Sequence, residues 1–270
     1  MPLRVATMPA DMDIVFVGAG RLATNFACAL HEQGHSIVAV FSRTLHAAET
    51  LADRVGAKAT CHIDDLPRKA DAFVVAVKDD AIATLLPQLS AGREQCCFFH
   101  TAGSVPLSVF AGVGIRHYGV VYPMQTFSKE RLVDFSVIPV FIEGNDEQAV
   151  LTARWLATSV SQHVQVLPSA ARKQVHLAAV FACNFVNHCY ELSAQLLEEQ
   201  GLSFSIMHPL VEETARKVME LHPHDAQTGP AVRYDQQVIG MQQQMLAGHP
   251  AMREVYELLS RSIHQLHKSS

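Results

Sequence analysis

Between Arg172 and His188 the chain reads RKQVHLAAVFACNFVNH, an apolar run interrupted by Lys173, His176, Asn184 and Asn187. An ammonium, an imidazole and two carboxamides can pass protons or hold a carbonyl by hydrogen bonds. On an α-helix each residue advances by about 100°, so with Lys173 at zero His176 falls near about −60°, Asn184 near about +20° and Asn187 near about −40°. All four then share one stripe. Two readings stay open. One is a solvent-facing edge, which is polar on any amphipathic helix. The other is a site beside a cleft, since burying such groups without partners costs a few kcal/mol each, roughly. The flanks Leu177, Ala178 and Phe181 favour the cleft. Lys173 and His176 are then the candidate proton donors, and Asn184 and Asn187 the candidates for orienting a substrate.

A second group lies near the start. GAGRLA, with Gly18, Gly20 and Ala23 in a G-x-G-x-x-A pattern, separates an apolar run from a helical one. Gly18 suits a tight turn, and Gly20 leaves room for a pyrophosphate at a helix N-terminus, where backbone amides and the helix dipole favour anions. Ala23 is an accepted third position, and Arg21 and Leu22 lie within the same turn. About 20 residues further on, an NAD site places a carboxylate against the ribose hydroxyls. Here that place holds Ser42, Arg43 and Thr44. A hydroxyl and a guanidinium suit a 2′-phosphate that a carboxylate would repel, so the expected cofactor is NADP rather than NAD. The bland alternative for Arg43 is a solvated loop charge.

These groups need elements to position them. The first half alternates β-rich runs (DIVFVGAG, SIVAVFSRT, a short AKAT, DAFVVAVKDD, QCCFFHTAG, RHYGVVYP, VIPVFIEG, HVQVLP) with helical stretches, the pattern of a sheet covered on both faces. The expected fold is therefore an α/β Rossmann-type, doubly wound, mostly parallel sheet. After Pro168 only long helical patterns follow, about 169–200, 203–221, 229–247 and 250–267, so an all-helical second domain is expected over 169–270, after an NADP-binding domain over 1–168. Open α/β sheets bind ligands at the carboxyl ends of their strands. Those ends carry Val77 in VKDD, which is expected to touch the cofactor. They also carry Thr101 and Ser104 in HTAGS, and Gln125 in YPMQTFSK, which are expected to line the substrate pocket.

Composition narrows the function classes. A net charge of −5 over 270 residues, with no basic stripe, argues against nucleic acid. The apolar runs fall short of the roughly 20 residues of a membrane span, and the opening MPLRVATMPADMD is not expected to be a secretory signal. A cytoplasmic setting is the expectation. Cys28, Cys61, Cys96, Cys97, Cys183 and Cys189 show no C-x-x-C or zinc-like spacing. HPHD at 222–225 and the pair His264 and His267 are the places to look for a metal, but neither is joined by a further ligand cluster and none is expected.

GAGRLA, SRT, HTAGS, YPMQTFSK, HLAAVFACNFVNH and TGPAVRYD, in that order, resemble a bacterial family of Rossmann-like NADP oxidoreductases whose helical C-terminal half is a domain of unknown function, the 2520 type. The resemblance covers nearly the whole chain, and PMQTFS and TGPAVR are its more specific parts. The architecture is more distantly similar to pyrroline-5-carboxylate reductases, ketopantoate reductases and β-hydroxyacid dehydrogenases, whose helical domain commonly forms a dimer interface. In the dehydrogenases a Lys, and an Asn about a turn later, serve catalysis on the first long helix of the second domain. Lys173 stands in the comparable place, but a turn later the chain has His176 or Leu177. The resemblance implies that Arg233 in TGPAVRYD could fork a substrate carboxylate. Its bland reading is a surface charge.

Together these expectations describe an NADP-dependent oxidoreductase moving hydride between NADPH and the carbonyl or imine carbon of a small, carboxylate-bearing metabolite. It would act as a homodimer without nucleic acid or membrane. The alternative is a non-catalytic NADP-binding redox sensor or scaffold, which would keep Gly18, Gly20 and Arg43 without needing the helix stripe.

Overall fold

Alternate residues of a strand face opposite sides of its sheet, and the first strand, β1 (Asp13–Val17), divides two cores in this way. Ile14 and Phe16 pack with the helices on one face, and Val15 and Val17 enter the core on the other. The computed structural model describes residues 11–268, so the expectation about the opening segment falls largely outside the described residues.

From β1 the chain passes through α1 (Arg21–Glu32), β2 (Ser36–Phe41), α2 (Leu45–Val55), β3 (Lys58–Thr60), β4 (Ala72–Val75) and α3 (Asp79–Ser90). It then runs through β5 (Cys97–His100), β6 (His117–Pro123), β7 (Val140–Gly144), α4 (Glu147–Val160) and β8 (Val164–Val166). The eight strands lie in the order β3-β2-β1-β4-β5-β6-β7-β8. All neighbours are parallel except β6 and β7, which pair antiparallel from Gly119 with Gly144 to Pro123 with Val140. Each strand expected from the sequence forms. Phe26, Leu30, Leu51, Leu156 and their neighbours on α1, α2 and α4 close one face, and Ile82, Leu86 and Leu89 of α3 close the other. The order reverses direction between β1 and β4, where a doubly wound sheet opens a crevice at its carboxyl edge.

Beyond Pro168 come α5 (Ser169–Ala179), a π-helical segment (Val180–Phe185), α6 (Val186–Glu198), α7 (His208–Glu220), α8 (Pro223–Ala226), α9 (Pro230–Arg233), α10 (Gln236–Met245) and α11 (Pro250–Lys268). Pro168 ends the last strand's segment, but the two compact units part between Cys183 and Asn184. The difference from the expected boundary at residue 168 has a physical cause: α5 is tied to the sheet. Arg172 of α5, 0% exposed, pairs with Glu143 of β7 and donates to the Val105 carbonyl, while Ser169 Oγ accepts from the Leu107 amide at 2.9 Å.

The second unit is helical as expected. Ala231 of α9, Ile239 of α10, Leu246 just after it and Met252 of α11 are buried. Its histidines meet as rings: His224 stacks on His267 at 4.3 Å and Tyr234 on His264 at 4.4 Å. Among the described residues no group of three His, Cys, Asp or Glu could hold a metal ion, and no helix is long and apolar enough to cross a membrane.

Candidate active site

The crevice at the carboxyl edge is a cavity of about 780 Å³ lined by Gly18, Gly20, Arg21, Leu22, Ser42, Arg43, Thr44 and Val77. Its two glycines are there for different reasons. Gly18 has φ +117°, and a Cβ built on it would stand 2.2 Å from the Ala76 carbonyl oxygen, so the protein's own backbone requires glycine. A Cβ on Gly20 would meet no protein atom within 4 Å. Only a ligand against the backbone would require glycine there. Gly20 is also the N-cap of α1 and offers no side-chain cap, so the first-turn amides are left for an anion. This cradle fits the pyrophosphate of a dinucleotide.

Ala23 does not line the cavity. It is wholly buried in the core beside β1, where a small residue lets α1 approach the sheet. Ser42 is half-buried, while Arg43 and Thr44 are exposed. The Arg43 guanidinium has no hydrogen bond or ion pair among the described residues, leaving its fork for a phosphate. Lys78, shortly after β4, joins Arg21 and Arg43 in the lining as a third cation, one that the glycine-motif spacing does not point to.

At β5 and β6 the carboxyl edge carries a second cluster. His176 Nδ1 of α5 lies 3.0 Å from Tyr122 Oη, at the end of β6, and the two rings meet edge to face at 6.0 Å. Gly103, in the HTAGS turn after β5, lies against both. Burial pushes the Tyr122 hydroxyl's pKa up, with the Arg172 guanidinium opposing, so it remains a neutral phenol. Lys173 is exposed, with no side-chain partner among the described residues. Of the other expected pocket residues, Thr101 is buried, Ser104 Oγ donates to the Asp79 carboxylate, and Gln125 Oε1 accepts from the Thr126 amide at 2.8 Å.

Asn184, Asn187 and Arg233 belong to the second unit, are exposed, and have no side-chain hydrogen bond among the described residues. Asn184 lies within the π-helical segment and Asn187 just beyond it, in α6. A π turn closes i to i+5 bonds and widens the helix, so the stripe reckoned at 100° per residue does not carry across it. Periodicity gives no warning of such a bulge.

Three residues the sequence did not single out support the site. Asn25 of α1 is buried, donates to the Arg21 and Ser128 carbonyls at 2.9 and 2.7 Å and accepts from the Val133 amide at 3.1 Å, pinning the PMQTFS loop to the cofactor helix. Arg172 anchors α5. His100, wholly buried and stacked on Phe110, accepts from the Ala102 amide through Nδ1 at 3.2 Å and shapes the HTAGS turn.

Burial, with the nearby Arg172 charge, holds the His100 pKa down at about 3, and burial also lowers that of His35. The His100 ring therefore stays neutral in the fold down to about pH 3, whereas in the unfolded chain it gains a proton below about 6.5. The sign follows: the His100 contribution is complete above about pH 6.5 and drains away as the pH falls towards 3, at about 1.4 kcal/mol per pH unit, and the lowered His35 acts in the same direction. Urea unfolding at pH 7.5 and pH 5.5 should show the lower stability at pH 5.5, with a shallower pH slope in His100→Gln. An identical slope in the variant would show that this ring does not carry the effect.

Comparison with known proteins places these features in context. The profile of a family described as NADP oxidoreductase, coenzyme F420-dependent, matches residues 13–96, and that of a domain of unknown function, DUF2520, matches residues 138–263. A solved structure from Bacteroides fragilis, described as a "putative NADP oxidoreductase", is 50% identical with TM-score 0.91, covering 95% of this chain and 99% of its own. A protein from Thermotoga maritima is 25% identical with TM-score 0.70, over 95% and 98%. An imine reductase from Myxococcus stipitatus, solved with NADP+, shares the fold at 14% identity and TM-score 0.67, over 96% and 95%. No curated protein matches the chain.

Proposed function

Because the chain belongs to the family of NADP oxidoreductases that carry a C-terminal domain of the DUF2520 type, we propose that it reduces the carbonyl or imine carbon of a small, carboxylate-bearing metabolite. NADP is the cofactor, and when bound as NADPH it supplies the hydride. The observation that carries the reading is the placement of His176 and Tyr122 at the same carboxyl edge of the sheet as the Gly18 and Gly20 cradle.

The chain's own residues divide the work. Gly20 and the first-turn amides of α1 receive the pyrophosphate, and Ser42, Arg43 and Thr44 receive the 2′-phosphate. His176 gives the proton that the substrate oxygen or nitrogen takes up, with Lys173 as its competitor on the same helix. For Asn184, Asn187 and Arg233 the proposal rests on residue type: amides that orient a carbonyl and a guanidinium that forks a carboxylate. Thr101, Ser104 and Gln125 belong to the loops that would border the substrate. A cytoplasmic setting is part of the same proposal.

The reaction is tested by NADPH oxidation against a panel of oxo acids and cyclic imines, with wild type, Lys173→Met and His176→Gln. At least one panel member should turn over, and removing the proton donor should lower kcat by about 100-fold with NADPH affinity unchanged. No turnover by any member, with a double variant more stable than wild type, would make the pair structural and favour a sensor. Cofactor choice has its own check by fluorescence titration. Arg43→Ala should weaken NADPH binding by about 10- to 150-fold, the range of a hydrogen bond to a charged group, and leave NADH nearly untouched. An equal effect on both cofactors would count against the 2′-phosphate contact.

We extend the proposal to a homodimer through the helical unit. Leu210, Val218 and Met219 of α7 and Met245 of α10 are exposed large apolar side chains, which burial against a second copy would remove from water. Light scattering should give twice the 29.6 kDa chain mass. A stable monomer at micromolar concentration would contradict it.

A further inference from the structure

A general acid must present the right nitrogen to its substrate, and an imidazole has two. His176 is half-buried on α5, and one end of its ring is fixed by what surrounds it. Tyr122 Oη lies 3.0 Å from Nδ1. Tyr122 itself has little freedom: 8% exposed, it packs with Val120 and Phe141 and faces the Phe141 ring at 6.3 Å. The HTAGS turn closes the same end, since a Cβ built on Gly103 would stand 2.7 Å from His176 Nδ1 and 2.8 Å from Tyr122 Cζ. That corner admits backbone and no side chain.

We propose that Tyr122 is the positioning residue of His176: its hydroxyl accepts the Nδ1–H and leaves Nε2 as the nitrogen that gives a proton to the substrate. This rests on His176 being the proton donor, as proposed above. The step balances simply. The imidazolium gives its Nε2 proton to the oxygen or nitrogen of the substrate while hydride from NADPH reaches the carbon. The Nε2 electron pair stays on the ring, and Nδ1–H stays on Tyr122. A proton from solvent restores the imidazolium.

Arg172 and Asp79 act on Tyr122 from α5 and α3 with opposite signs, His100 is held neutral on β5, and Lys173 is the other titratable group on α5 near the ring. None of these replaces the hydroxyl as a partner for Nδ1. The sequence offered no sign of the pair, because Tyr122 and His176 lie 54 residues apart.

The test uses the full chain labelled with 15N-histidine. In wild type the ring nitrogens of neutral His176 should report the Nδ1–H form as dominant. Tyr122→Phe keeps the ring and its packing, so far-ultraviolet circular dichroism should be unchanged, but the Nδ1–H preference should disappear. Removing an acceptor from the charged ring also disfavours that form, so the alkaline limb of the kcat profile should move to lower pH by about one unit. KM should stay within about twofold, as expected when substrate contacts are untouched. A dominant Nε2–H form in wild type, or an unchanged ring and pH limb in Tyr122→Phe, overturns the Tyr122 assignment while the donor reading stands. Full turnover in His176→Gln overturns the donor reading, and with it any catalytic meaning of the pair.

Discussion

Arg172→Met should lower the stability of the first unit by about 3–5 kcal/mol, the cost of removing one partner from a buried ion pair. Arg172 is 0% exposed and spans three elements, pairing with Glu143 of β7, donating to the Val105 carbonyl after β5, and lying within 3.4 Å of Ser169 Oγ at the start of α5. Methionine fills much of the space, so the loss comes chiefly from stranding the Glu143 carboxylate and the Val105 carbonyl. Glu143 keeps two donors from Ser169, the backbone amide at 2.9 Å and the hydroxyl at 2.7 Å, which limits the damage. The arginine's own Nε has no partner among the described residues, so the network is not fully satisfied even in the native protein. Urea unfolding with unchanged m-value checks the figure. A loss below about 1 kcal/mol, the size expected of a surface pair, would mean that α5 is held by packing alone.

The second large effect separates two glycines that look alike in the sequence. Gly18→Ala should destabilise the unit by roughly 2–5 kcal/mol, combining a strained backbone with an overpacked contact. The new methyl would stand 2.2 Å from the Ala76 carbonyl oxygen at φ +117°. Neither strand can easily retreat, since the Gly18 amide donates to Phe41 at 2.7 Å and the Ala76 amide to Val17 at 2.8 Å. Gly20→Ala meets no protein atom within 4 Å and should leave stability within about 0.5 kcal/mol of wild type. Its loss should appear in NADPH affinity, because the methyl enters the space kept for the pyrophosphate. Thermal melts and NADPH titrations of both variants distinguish the two roles. Equal NADPH affinity in Gly20→Ala and wild type would remove the ligand explanation for that glycine.

The strands were legible because apolar runs bounded by glycine and polar turns have few other interpretations, and GAGRLA because its spacing sits between a strand and a helix. Ser42 and Arg43 could be placed by counting from that motif. Chain separation hid the rest. Tyr122 with His176, Glu143 with Arg172 and Asn25 with Ser128 join residues brought together only by the sheet order. Arg172 reads as an ordinary surface charge beside Lys173, yet it is the buried one and Lys173 the exposed one. The helix stripe rests on a single period that the chain does not keep throughout. A 3.6-residue period describes α5, but the π-helical segment at Val180–Phe185 breaks the count before Asn184. The unit boundary moved for the same reason that α5 matters: its ties run back to the sheet.

The most direct test of the account follows one atom. NADPH carrying deuterium at the transferring position of its nicotinamide is incubated with the full chain and the panel of oxo acids and cyclic imines, and the products are read by mass spectrometry. The account predicts one deuterium bound to carbon in a reduced product, with His176→Gln slowing its appearance while NADPH binding is unchanged. Deuterium that stays on the cofactor with every panel member, although NADPH binds tightly, would contradict it and make the protein a binder of NADP rather than a reductase.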